Sequence, residues 1–290
     1  MRKLFKRLGL SALCLLLLNG CATKLAYNFL DFATLWYIES YVNLDRQQKQ
    51  YAKDYLDTFH DWHRYSQLPR YALYMEGLQL RIATGKMTGQ QVHNETDQIQ
   101  VFLDETLNYL TPMFTHLAGS LSDEQVAELM KSLQKERDQY QKDFVDVKGD
   151  KLHKARVDEL KSHLSLGLSG FSQSQNQEMY RWSKSLLPFE SLTLRQQEIW
   201  AEELLAALNK RDEKEQLNKT IRKLLFVHTD HWDEELERRM DKNQKITYDM
   251  LATILNSLTQ EQRKKMNRKL TGYSTDFREL AVAKRTEKAK

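Results

Sequence analysis

The chain is predicted to be all-α, an antiparallel multi-helix bundle or pair of bundles with long amphipathic helices and no sheet. Three observations lead there. Only three prolines and ten glycines punctuate 290 residues, and no stretch alternates apolar and polar residues as a half-buried strand must. One short word recurs six times: an apolar residue, then Ser, Thr or Asp, then Gln three positions later. Between these words apolar residues return every three or four positions, the spacing of a single helix face.

The six words begin at Leu44-Asp45, Met87-Thr88, Leu121-Ser122, Phe171-Ser172, Leu192-Thr193 and Leu258-Thr259, with the glutamines at Gln48, Gln91, Gln125, Gln175, Gln196 and Gln262. Each reads as a capping box. The Ser, Thr or Asp oxygen takes an orphan N–H of the first turn, and the Gln reaches back to the cap's own N–H. Such a cap contributes about 1 kcal/mol. Val92 and Val126 stand where a hydrophobic staple would put them. The six starts divide the body into nine to eleven helices.

Apolar stripes follow the caps. Tyr51, Tyr55, Phe59 and Trp62 share one face after Asp45; Val126, Leu129, Leu133, Tyr140 and Phe144 do so after Ser122; Ile221, Leu224, Leu225, His228, Trp232 and Leu236 form a third stripe. Pro69 suits the first turn of a new helix, Pro112 kinks a helix without ending it, and Gly149, Gly167 and Gly170 mark breaks. Residues 113–140 also match residues 250–277 at a constant offset, Met113 with Met250, Leu117 with Ile254, Gln125 with Gln262 and Tyr140 with Phe277. This is either an internal repeat or a chance likeness between two well-capped helix pairs. The body is expected to span residues 21–262, as two bundles over 21–148 and 150–262 that share long helices. A basic C-terminal helix and tail follow at 263–290.

The amino terminus carries an address. Arg2, Lys3, Lys6 and Arg7 precede an apolar run at residues 8–18, and Leu18-Asn19-Gly20-Cys21 follows. A basic start, a short apolar stretch and small residues at a cut site make an export signal. A cysteine directly after Leu-x-Gly marks lipoprotein processing: residues 1–20 are expected to be removed and Cys21 to be acylated. The run is too short for a spanning helix, which needs about 20 residues. Ala22, rather than Asp, after the cysteine suits sorting to the outer membrane, facing the periplasm. The expected location is therefore the cell envelope, with the membrane itself as a partner through Cys21.

Removing the four basic residues of the leader from the 44 in the chain leaves 40 against 40 acidic residues. A neutral mature chain has no electrostatic case for nucleic acid. The charge is unevenly placed, however: residues 263–290 hold ten basic and three acidic side chains, a tail suited either to anionic lipid or to plain solvation. Cys14 leaves with the leader, so Cys21 is the only mature cysteine, and disulfides and thiolate clusters are excluded.

Chemistry-bearing patterns are few. His60-Asp61-Trp62-His63 and His228-Thr229-Asp230-His231-Trp232 each set two histidines on one helical face, so His60, His63, His228 and His231 are candidate metal ligands, with aromatic-flanked core positions as the alternative. No HExxH, GxSxG, GxGxxG or P-loop occurs, and no cofactor or catalytic residue is expected. Residues 25–44 are the most apolar of the body and read as a core helix or as a helix on the membrane interface with Trp36 and Tyr37 at headgroup level. Residues 51–74 mix aromatics with His60, His63, Arg64 and Arg70, either as core or as a groove for an envelope protein, peptide or glycan.

Two stretches together resemble a bacterial lipoprotein family known only as a domain of unknown function (the DUF6279 type): Leu25-Ala26-Tyr27-Asn28 through Val42-Asn43-Leu44-Asp45, then Trp62-His63-Arg64 and Leu68-Pro69-Arg70-Tyr71. The resemblance implies an exported helical protein and no activity. It points to Trp62, His63, Arg64, Pro69 and Arg70, with neighbouring Tyr71, as candidate binding residues. A looser likeness is to small periplasmic helical chaperones and metal-responsive envelope proteins built on Leu-Thr-x-x-Gln words. The expected function is a lipid-anchored, non-catalytic binding, scaffolding or chaperone-like role. The alternative is a metal-binding protein or metal-dependent hydrolase using the two histidine pairs.

Overall fold

A computed structural model describes residues 20–165, 167–168, 170–226 and 232–283, and among them only helices and connecting turns occur. In chain order the helices are α1 (Gly20–Asn28), α2 (Leu30–Glu39), α3 (Arg46–Trp62), α4 (Leu68–Thr84), α5 (Gly89–Ser120), α6 (Asp123–Tyr140), α7 (Asp150–Leu164), α8 (Gln173–Ser185), α9 (Glu190–Asn209), α10 (Lys214–Leu225), α11 (Glu234–Asn256) and α12 (Gln260–Val282). Single π-helical turns, His63–Gln67 and Gln141–Val145, follow α3 and α6. The all-α expectation holds.

Five of the six capping boxes form as read, with Asp45, Thr88, Ser122, Ser172 and Thr259 as N-caps of α3, α5, α6, α8 and α12. The sixth does not. Helix α9 starts a turn before Thr193, at Glu190, and the Thr193 amide already bonds Phe189 O at 2.8 Å, so no free N–H is left for Gln196. The substitute is a buried ion pair. Glu190 Oε2 accepts the Phe189 N–H at 3.1 Å, and Arg156 of α7 donates to Glu190 Oε1 and to Ser183 O at 2.8 and 2.7 Å. A negative charge there also suits the positive end of the helix.

Prolines and glycines behave as their backbones require. Pro112 lies inside α5. Gly149 and Gly170 adopt φ of 58° and 68° at the breaks before α7 and α8, a region that other L-residues seldom enter. Pro69 stands in the first turn of α4, as its fixed φ suits, and the π-turn joins that helix to α3 without a break.

The helices pack as two halves that exchange partners. Helix α5 lies along α11, α4 of the first half lies along α12 of the second, and α9 of the second lies along α6 of the first. Two apolar clusters result. One joins α1–α3, the start of α4 and α6 to α9, α10, the far end of α5 and the last turns of α12; the other joins α7, α8 and α11 to the end of α4 and the near ends of α5 and α12. The two clusters do not coincide with residues 21–148 and 150–262. Both clusters draw on residues from each side of Gly149, because long helices extend from one core into the other.

The aligned apolar positions of residues 113–140 and 250–277 share their burial. Met113 and Met250, Leu117 and Ile254, Leu121 and Leu258, Leu133 and Leu270, and Tyr140 and Phe277 are buried pair by pair. The capping glutamines add a relation that the alignment could not show. Gln48 and Gln125 donate to each other's side-chain oxygens at 3.0 and 2.7 Å, and Gln175 and Gln262 do the same at 3.1 and 3.0 Å. Each glutamine also donates to the carbonyl two residues before its partner's cap: Ser120, Asn43, Ser257 and Gly170. Two helix starts are thus clasped together in each half, with the same wiring.

Candidate functional site

The residues singled out from the sequence converge on the π-turn. Pro69 offers no N–H and its ring crowds the carbonyl four residues back. The ladder responds by adding a residue, and the Leu68 N–H reaches His63 O. The extra residue turns His63, Arg64 and Gln67 inward. Tyr27 of α1 enters beside them. Its ring centroid lies 4.6 Å from that of His60 and 5.8 Å from that of His63, and its hydroxyl is 3.1 Å from His63 Nδ1 and donates to His60 O at 3.4 Å. Burial, with His60 alongside, pushes the His63 pKa down to about 3, so the imidazole is neutral at physiological pH.

Arg64 is the most deeply placed charged side chain of this group, 2% exposed. Its guanidinium donates to Leu280 O at 3.2 Å, to Ala283 O at 3.4 Å and to Asn28 Oδ1 at 3.1 Å, and lies 5.3 Å over the Tyr27 ring. A cation here meets carbonyls at the carboxy-terminal, negative dipole end of α12. It ties α1, the π-turn and the last helix together.

The rest of α1 reinforces the connection. Thr23 is buried and bonds Asp276 of α12, and Lys24 pairs with Asp276 at 3.6 Å and with Glu279. Burial pushes the Asp276 pKa up. Tyr27, Leu30 and Leu35 face the core, whereas Leu25, Phe29, Phe32 and Trp36 point outward, 60, 56, 67 and 65% exposed. Cys21 belongs to the first turn of α1.

The other expected site residues scatter. Trp62 is half-buried and stacks on Tyr109 with ring centroids 4.4 Å apart. Pro69 is half-buried, and Tyr71 packs edge-on against Phe102, His63 and Phe277. Arg70 alone reaches solvent, holding Glu105 through Nη1 and Nη2, the latter at 2.9 Å. Of the groups in the groove reading of residues 51–74, His60, His63 and Arg64 belong to the core and Arg70 is exposed. His60 and His63 sit together under Tyr27. His228 and His231 lie outside the described residues. Among the described residues no three or more His, Cys, Asp or Glu side chains are grouped to hold a metal ion.

Sequence reasoning did not find the cap that Arg64 places on α12, since its partners are backbone carbonyls more than 200 residues away. The Arg156–Glu190 pair was missed because two surface-type charges on different helices carry no local sign that they will meet and be buried. Elsewhere, an open groove of about 800 Å³ between α9 and α10 is lined by Glu203, Lys210, Glu213 and Lys223 among others, with Lys223 paired to Glu203 at 2.8 Å. No helix among the described residues is long and apolar enough to cross a membrane.

The site and its scaffold define a class: an all-helical protein with two interlocked cores, whose polar interior fastens helices to one another. Its family is equally clear. The model of DUF6279, a family of unknown function, matches residues 40–237, 198 of the 290 positions, and the chain belongs to that family. No curated protein and no solved structure matches the chain. The matched region contains the π-turn and begins just after α1 and α2.

Proposed function

We propose that this protein is a lipid-anchored, non-catalytic scaffolding protein of the bacterial cell envelope, tethered through acylated Cys21 and facing the periplasm from the outer membrane. The observation that carries the reading is the rigid union of α1 with the body. Thr23, Lys24 and Tyr27, only a few residues beyond Cys21, are engaged by α12 and by the π-turn. A flexible tether would let a globular domain swing on its anchor. Here the anchor point continues directly into a helix that cannot move independently of the domain. The polar groups that could have served chemistry, His60, His63 and Arg64, are spent on holding that helix, which supports a binding or scaffolding role over catalysis.

The test is the mass of the amino-terminal peptide from protein purified out of membranes. The proposal expects a chain beginning at Cys21 and carrying acyl groups, and Cys21→Ala should accumulate as a precursor retaining residues 1–20. A native chain that keeps its first twenty residues, or begins at Cys21 without lipid, refutes the anchor. Crosslinking in intact cells then tests the scaffold: recovery of the protein with no neighbouring envelope protein refutes that part.

A further inference from the structure

We propose that the outward face of α1 and α2, carrying Leu25, Phe29, Phe32 and Trp36, lies in the headgroup-to-acyl boundary of the bilayer. The proposal rests on the lipid-anchor reading above and gives it an orientation.

The four side chains are spaced by four, three and four residues, one stripe along a nearly continuous helical path. Each is more than half exposed, while Tyr27, Leu30 and Leu35 on the opposite side are buried. The exposed residues from Leu25 to Trp36 are Leu25, Asn28, Phe29, Phe32, Ala33 and Trp36, with no charge among them. The one acid in the stretch, Asp31, is buried, and Lys24 just before it is engaged by Asp276 and Glu279. An aromatic stripe free of charge suits the interface of a membrane, where Trp rings concentrate.

The choice of a bilayer over a protein surface follows from where the stripe begins. Leu25 is four residues after Cys21, about 6 Å along the helix. Acyl chains on Cys21 enter the bilayer there, and the buried contacts of Thr23 and Tyr27 prevent the stripe from turning away. Charge adds a second argument. Arg64 holds Ala283 O and Asn28 Oδ1 with the same guanidinium, so the chain leaves α12 beside the stripe. Its next seven residues include Lys284, Arg285, Lys288 and Lys290 against Glu287 alone, a segment attracted to anionic headgroups.

The experiment uses the mature acylated protein reconstituted into vesicles of phosphatidylcholine and phosphatidylglycerol with brominated acyl chains, which quench nearby tryptophan. Subtracting the spectrum of a Trp36→Phe variant isolates Trp36 from the other four tryptophans. Bromolipid should lower the Trp36 signal at least about twofold, and Phe32→Glu, a substitution at an exposed position, should reverse most of that loss with helical content unchanged. An acylated protein whose Trp36 is open to an aqueous quencher and untouched by bromolipid overturns the proposal while leaving the anchor intact. A chain without acyl groups overturns the anchor instead. Trp36→Cys introduces the only unacylated thiol of the mature chain, and its ready crosslinking to a second copy in vesicles would assign the stripe to a dimer and overturn the bilayer assignment. Equal quenching in vesicles without phosphatidylglycerol would overturn the contribution of the carboxy-terminal charge.

Discussion

Removing the Gln262 side chain should reveal how far the helix clasps exceed ordinary caps. Gln262 Oε1 accepts the Thr259 N–H at 2.9 Å and the Gln175 amide at 3.1 Å, while Nε2 donates to Gly170 O and Gln175 Oε1, both at 3.0 Å. Gln262→Ala keeps the Thr259 hydroxyl on the residue-262 N–H but loses the reciprocal bond to the Thr259 N–H, worth about 1 kcal/mol, and strips the buried Gln175 amide of a partner, at about 1–2 kcal/mol more. The expected destabilisation is about 2–3 kcal/mol. Gln91 provides the internal control: it makes the same box with Thr88 at 2.8 Å but is exposed, so water replaces it and Gln91→Ala should cost about 0.5–1 kcal/mol. Urea unfolding followed by far-ultraviolet circular dichroism measures both. A double-mutant cycle between Gln175 and Gln262 should give a coupling of about 1 kcal/mol. Equal losses at Gln91 and Gln262, or a coupling near zero, would refute the clasp as an energetic unit.

Three further outcomes follow from the interior. Arg64→Ala removes three donated bonds from a buried cation and should cost roughly 3 kcal/mol, with faster amide exchange in α1 and the last turn of α12; Arg70→Ala, at an exposed ion pair, should cost about 0.5 kcal/mol. His63 titrates near 6.5 when unfolded and near 3 when folded, so the unfolded chain binds the extra proton. Stability is complete above about pH 7 and falls as pH drops toward 3, by roughly 2–3 kcal/mol between pH 7 and 4.5; His63→Phe should flatten that slope in urea titrations, and an unchanged slope would exclude this histidine as its source. At the start of α9, Glu190→Ala should cost about 3 kcal/mol by stranding Arg156, whereas Thr193→Ala should change the unfolding free energy by less than about 0.5 kcal/mol.

The contrast between those two α9 substitutions shows where local reading succeeds and where it stops. Asp45, Thr88, Ser122, Ser172 and Thr259 were legible as caps because a capping box is closed by residues three apart, and nothing distant is needed to form it. Leu192-Thr193 to Gln196 has the same letters, yet Arg156, more than thirty residues away, fixes the helix start a turn earlier at Glu190. The same division runs through the candidate site. Its residues could be picked out as an aromatic and basic cluster, but whether they faced water or the core depended on one added residue in the π-turn at Pro69.

Helical class, most helix starts and the breaks at Gly149 and Gly170 were all encoded within short windows. There, backbone preference and 3.6-residue periodicity act directly. The exchange of α4 and α9 between halves, the amide pairs joining helix starts, the burial of Arg64 against the end of α12 and the outward stripe on α1 and α2 were decided only by tertiary packing. Each depends on partners brought together from distant parts of the chain, where desolvation and unpaired backbone groups, rather than local propensity, select the arrangement.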